Sequence, residues 1–150
     1  MADPRPSSAR EHQTPCVVSW YADLSPYTYL DSRRVVADDD GATALNIGWL
    51  GAGIRNPTGP AHDGFLPRLL ELARHSHNQT RGRHICALCD DPPAIITITH
   101  GLHRVGLGSS EIHVPGGEGI VYAAPTMICH YVAAHEYLPP QEFVDAVMRT

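Results

Sequence analysis

The segment Gly82-Arg83-His84-Ile85-Cys86-Ala87-Leu88-Cys89, followed at once by Asp90-Asp91-Pro92-Pro93, constrains this chain more than any other stretch. Two cysteines separated by two residues can turn both sulfurs toward one tetrahedral ion at about 2.3 Å. If the chain approaches in extended form, alternation puts His84 on the same side as Cys86, so the imidazole can join them. Such soft and borderline ligands suit Zn²⁺ better than Mg²⁺ or Ca²⁺, which prefer oxygen. A thioredoxin-type redox pair competes for the same spacing, but it needs a helix start to lower the first thiol's pKa. Two prolines and two carboxylates directly after Cys89 oppose both conditions. Two ordinary reduced cysteines in a packed turn are the third reading. The segment predicts a zinc loop with His84, Cys86 and Cys89 as ligands.

A closed tetrahedral site needs a fourth ligand from elsewhere. His130 and His135 lie five residues apart on an expected helix, so their Cα–Cβ directions diverge by about 140°. On that ground they are not expected to bind one ion together. His135 shares a face with Ile128, Tyr131 and Val132 and reads as a buried, hydrogen-bonded histidine. His130 faces away, between Met127 and Ala134, and is the expected fourth ligand, with His113 and Cys129 next in order.

Composition sets the remaining bounds. The chain has 150 residues, which allows one ordinary domain. Apolar residues make up 43%, enough for a core without metal or disulfide support. Eleven basic residues against sixteen acidic ones leave a net charge of −5, which argues against a nucleic-acid or anionic-membrane surface. Every basic residue is arginine. The lack of lysine removes Schiff-base chemistry and any phosphate loop ending in Gly-Lys-Ser/Thr. No apolar run approaches the ~18 residues of a membrane span, and the N-terminus lacks the order of a signal peptide. The expected location is the cytoplasm, where four cysteines favour a metal site over disulfides.

The element pattern predicts an α+β fold, a small antiparallel β-meander packed against two or three helices. Residues 1–15 read as a disordered N-terminal arm and 16–150 as one zinc-binding domain. Short strands are expected at 43–50, 94–99, 104–107, 111–114 and 119–123, with Gly- and Ser-rich turns between the later ones. A helix capped by Asp63 begins near Phe65, with an apolar face of Phe65, Leu69 and Leu72. Pro125 can open a second helix running to Glu136, and Pro140 a last one carrying Phe143, Val144 and Val147. The Asp38-Asp39-Asp40 run reads as a solvated loop tip. Gly51-Ala52-Gly53 lacks the third glycine of a dinucleotide fingerprint.

The chain also resembles an uncharacterised family of small bacterial, actinobacterial-type proteins. The resemblance rests on Tyr21-Ala22-Asp23-Leu24-Ser25-Pro26-Tyr27, Asn46-Ile47-Gly48-Trp49-Leu50 and the Gly82–Cys89 segment. It continues through Glu111–Pro115, Val121–Pro125, His130-Tyr131-Val132 and His135–Phe143. It implies a single domain in which the cysteine segment and the last two helices belong together, and it brings no activity with it. His113 is not part of the shared pattern, which weakens it as a ligand.

Two functions follow as expectations. In the first, a mainly structural zinc fastens a loop to the C-terminal helix, and the protein acts by binding a protein or small-molecule partner. Aromatic residues between Trp20 and Tyr29, with Trp49-Leu50, either form that surface or complete a small core. In the second, three ligands leave an open position for water, Glu111 serves as general base, and Tyr122 or His113 steadies an oxyanion. That would be a zinc-dependent hydrolase or lyase. A thiol redox protein is the third possibility.

Overall fold

The computed structural model describes residues 20–36 and 41–150. The expected N-terminal arm and the acidic tip Asp38-Asp39-Asp40 lie outside these residues. The described elements are β1 (Thr43–Asn46), α1 (Phe65–Arg74), β2 (Ile96–His100), β3 (His103–Leu107), β4 (Glu111–Pro115), β5 (Ile120–Pro125), α2 (Ile128–His135) and α3 (Gln141–Arg149), preceded by a 3-10 turn at Ser32–Arg34. The fold is α+β. No helix among the described residues is long and apolar enough to cross a membrane.

The expected meander divides in two. β2 and β3 form a separate antiparallel hairpin, while β4 pairs antiparallel with β5 and β1 joins β5 in parallel. Gly108 explains the break between β3 and β4. Its φ of +100° turns the chain out of the hairpin's plane, and a Cβ there would stand 2.8 Å from the His84 carbonyl oxygen. Residues 80–84 run alongside this corner, with Thr80 N–H donating to the Ser109 carbonyl and His84 N–H to that of Gly108. The Cys-x-x-Cys loop therefore leaves from the corner between the two sheets.

Strand alternation sends the two faces of the three-stranded sheet into different surroundings. Ile112, Val114, Tyr122 and Ala124 join Phe65, Leu69, Ile128 and Phe143 in the main core. A fully buried Leu or Phe contributes about 1.5–3 kcal/mol, so this cluster carries most of the stability. On the opposite face Ala44 and Ala123 meet Tyr27 and Trp49. Trp49 Nε1 donates to the Ala123 carbonyl at 3.0 Å, and Tyr27 N–H to that of Ala44 at 3.0 Å. The aromatic segment thus completes a second small core. Trp20 stays outside this core and is 45% exposed.

Element ends follow local chemistry more closely than the patterns suggest. The α1 N-cap is Gly64 at φ +80°, without a side-chain cap, instead of Asp63. Pro125 ends β5 where a helix start was expected, and α2 begins at Ile128. α2 stops at His135 because Glu136 takes the left-handed conformation and Tyr137 N–H returns to the Tyr131 carbonyl, a Schellman-type closure.

Gly48 adopts φ +73°, and a Cβ there would lie 2.8 Å from Ile128 Cδ1. A Gly48→Ala variant is expected to lose about 2 kcal/mol or more, from left-handed backbone strain plus overpacking against α2. A melting temperature lowered by at least about 4 °C is the corresponding readout.

Candidate metal centre

Cys86, Cys89, His130 and His135 converge, and their ligand atoms all lie within 4.8 Å of one another. Cys89 Sγ is 3.3 Å from His130 Nε2 and 3.3 Å from His135 Nε2, while Cys86 Sγ is 3.4 Å from His135 Nε2. A tetrahedron with metal–sulfur bonds of about 2.3 Å and metal–nitrogen bonds of about 2.0–2.1 Å has sulfur–nitrogen edges of about 3.5 Å. The observed separations match that figure. Cys86 and Cys89 are free thiols, so the sulfurs are not joined to each other.

Hydrogen bonding alone does not account for the arrangement. A neutral imidazole donates one N–H, yet His135 Nε2 faces both sulfurs. Burial and the neighbouring His135 push the His130 pKa down. Desolvation, followed by the adjacent Cys86 sulfur, pushes the Cys89 thiol up. A divalent cation between the four donors would offset the second effect by stabilising thiolate.

Three of the four sequence-derived ligand positions, Cys86, Cys89 and His130, are in the group, and His84 is not. The His84 ring turns toward the aromatic segment, 5.8 Å from the Tyr29 ring centroid and 6.2 Å from that of Trp49. Its Nε2 lies 3.4 Å from the Tyr29 hydroxyl, and burial depresses its pKa. The reason is local: the chain at 83–86 is not a strand, so simple alternation does not place His84 beside Cys86.

His135 takes the remaining corner, against the expectation from helical angles. The two imidazole centroids are only 5.1 Å apart. Divergence at Cβ does not forbid convergence at Nε2, because an imidazole reaches well beyond the helix backbone radius of about 2.3 Å. His135 is also the last helical residue, so no following turn confines its ring. A signal was present in the sequence: His130-x₄-His135 after Cys86-x₂-Cys89 falls within the spacing of Cys₂His₂ zinc sites. Cys129, one of the alternatives, is fully buried, and desolvation pushes its thiol up to about 12.

Glu111 and His113 belong to a different group, on the second face of the sheet. Glu111 is buried, and its carboxylate accepts from the Tyr27 hydroxyl at 2.6 Å and from Asn78 Nδ2 at 2.9 Å. His113 Nε2 lies 2.8 Å from its Oε2. His77 stacks on His113 with centroids 4.6 Å apart and planes 5° from parallel. A carboxylate so engaged orients its neighbours. Tyr122, the other expected oxyanion group, has its hydroxyl 3.4 Å from a Glu142 oxygen.

An α+β domain with two cysteines and two histidines gathered at the corner of its sheets is a candidate metal-binding domain. The chain belongs to the family described as a domain of unknown function, DUF7919, whose model matches residues 19–148. No curated protein and no solved structure matches the chain.

Proposed function

We propose that this is a zinc-binding domain in which the ion is structural, held by Cys86, Cys89, His130 and His135. One observation carries the reading: four donor atoms, from a loop and a helix 41 residues apart, lie within 4.8 Å of one another, and three sulfur–nitrogen separations of 3.3, 3.3 and 3.4 Å match the edges of a tetrahedron. Two thiolates with two imidazoles favour Zn²⁺ among common divalent ions. Four protein donors fill a tetrahedral shell, so the ion has no position left for water and the hydrolase or lyase reading loses its nucleophile. Glu111, the general base of that reading, is engaged in its own network. The protein acts in the cytoplasm by binding a protein or small-molecule partner, with the metal clamping residues 86–89 to α2.

Metal analysis of the purified protein tests this directly, with zinc expected at one equivalent per chain. Cobalt substitution should add the intense visible absorption of a tetrahedral thiolate site. Protein that holds no zinc as isolated and takes up neither ion on reconstitution would overturn the proposal.

A further inference from the structure

The β2–β3 hairpin is a sheet of its own, so among the described residues neither of its edges meets a further strand. In a hairpin with a two-residue loop the closing pair exchanges both backbone hydrogen bonds, and bonded pairs recur at every second residue. With His100 opposite His103, the residues of β2 bonded to β3 are Ile96, Ile98 and His100. Thr97 and Thr99 therefore turn their N–H and C=O groups to the outer edge. Neither finds a backbone partner there among the described residues.

The two edges differ. The end of α1 stands beside β3, where Ala73 and Arg74 line a groove with Arg104 and Gly106. A charged residue and a glycine in an edge strand both oppose further pairing. On the other side, residues 94–99, Ala-Ile-Ile-Thr-Ile-Thr, carry no charge, proline or glycine. Such a segment pairs readily when its edge is left open. Thr97 and Thr99 are exposed, Ile95 is 51% exposed, and Leu102 at the hairpin tip is fully exposed.

We infer that β2 pairs antiparallel with β2 of a second copy of this chain, joining two hairpins into one four-stranded sheet about a two-fold axis at Thr97. The outward-pointing groups set the register. Thr97 of one copy faces Thr97 of the other, Ile95 faces Thr99, and up to about six backbone hydrogen bonds form. Ile96 and Ile98 of opposite copies then make close non-bonded pairs on the core-facing side, which suits β-branched side chains. Pro93 has no N–H and ends the ladder on one side, and Gly101, at φ +60°, turns the chain away on the other. Charge selects the direction. Asp90-Asp91 precedes β2, while Arg104 lies opposite Thr99 near its far end and forms no ion pair among the described residues. Antiparallel pairing brings the acidic end of one copy toward the basic end of the other, whereas parallel pairing sets like ends together. It also carries Pro92-Pro93 of one copy to the hairpin tip of the other, where Leu102 is otherwise bare. The same patch serves both copies, so the contact closes at a dimer. It uses no residue of the proposed metal centre and does not depend on it.

Sedimentation equilibrium of the full chain over a concentration series, in reducing buffer so that no disulfide contributes, tests the inference. So short an edge makes a small interface, and a dissociation constant on the order of 10–100 μM is expected. Amide exchange should slow at Thr97 and Thr99 as concentration rises, and stay unchanged at Arg104 and Gly106. T97R and T97D each set like charges directly across the axis and should weaken the dimer at least about tenfold. Thr97 is exposed, so both variants should keep the wild-type circular dichroism and melting temperature. An equimolar mixture of the two variants brings opposite charges across the axis and should associate at least as tightly as the wild type. A chain that stays monomeric at millimolar concentration would overturn the proposal and leave this edge to a strand of a different protein. A dimer that both variants leave intact, or a mixture that fails to associate, would overturn it as well. Zinc content, measured on the same samples, reports on the metal proposal independently.

Discussion

A Cys89→Ser variant is expected to lose its zinc and most of its thermal stability. Apparent binding free energies of structural zinc sites are about 10–16 kcal/mol near neutral pH, against a whole-domain stability of about 5–15 kcal/mol. A serine hydroxyl does not ionise near neutral pH and ligates zinc poorly, so the remaining three donors hold the ion far less tightly. The loop at 86–89 is short of regular structure, and the ion would be its main tie to α2. A fall in melting temperature of more than about 10 °C is expected, together with metal content near zero. The paired comparison is equally informative. His135→Ala should behave like Cys89→Ser, whereas His84→Ala should keep its metal, because its imidazole packs against Tyr29 and Trp49. Full metal content in Cys89→Ser and His135→Ala would show that these residues hold no ion.

The second large effect is expected at Glu111. Its carboxylate is buried and gathers the Tyr27 hydroxyl, the Asn78 amide and the His113 ring, joining the N-terminal segment, the loop after α1 and the sheet. Glu111→Ala leaves the buried Tyr27 hydroxyl and its neighbours without that acceptor and opens a cavity. The loss should be about 3 kcal/mol, from buried donors left unsatisfied, at about 1–3 kcal/mol, together with the cavity. Urea unfolding would record it as a lower midpoint at unchanged slope. Zinc content should stay at the wild-type level, since Glu111 is outside the metal group. A loss below about 1 kcal/mol would mean that the network does little for stability. Loss of zinc would instead tie Glu111 to the metal centre.

Much of the fold was legible in residue patterns. The Ile- and Thr-rich stretch at 94–99 has the β-branched character of β2, and the expected apolar face of Phe65, Leu69 and Leu72 falls on α1, where Phe65, Leu69, Leu70 and Ala73 are buried and Leu72 is half-buried. Sheet pairing was not legible. Five short strands admit several antiparallel orders, and the parallel pairing of β1 with β5 joins residues more than seventy positions apart. The start of the second helix was also misplaced, because Pro125 ends β5 and α2 begins only at Ile128, and the cap of α1 is Gly64 in a left-handed conformation in place of Asp63.

The candidate site divides in the same way. Two thiols at Cys-x-x-Cys spacing, ended by Asp-Asp-Pro-Pro, determine by themselves that a tight turn can offer two sulfurs to one soft ion. That follows from local geometry, which a few covalent bonds enforce. Which imidazoles answer the sulfurs was decided only by the tertiary structure. His84 is two residues from Cys86 in the chain, yet the aromatic segment draws it to the other side of the corner. His135 is 49 residues from Cys86 and reaches it because α2 packs against the loop and ends at that residue. Side chains meet according to where packed elements stop and turn, and that depends on the whole core, not on spacing within one segment.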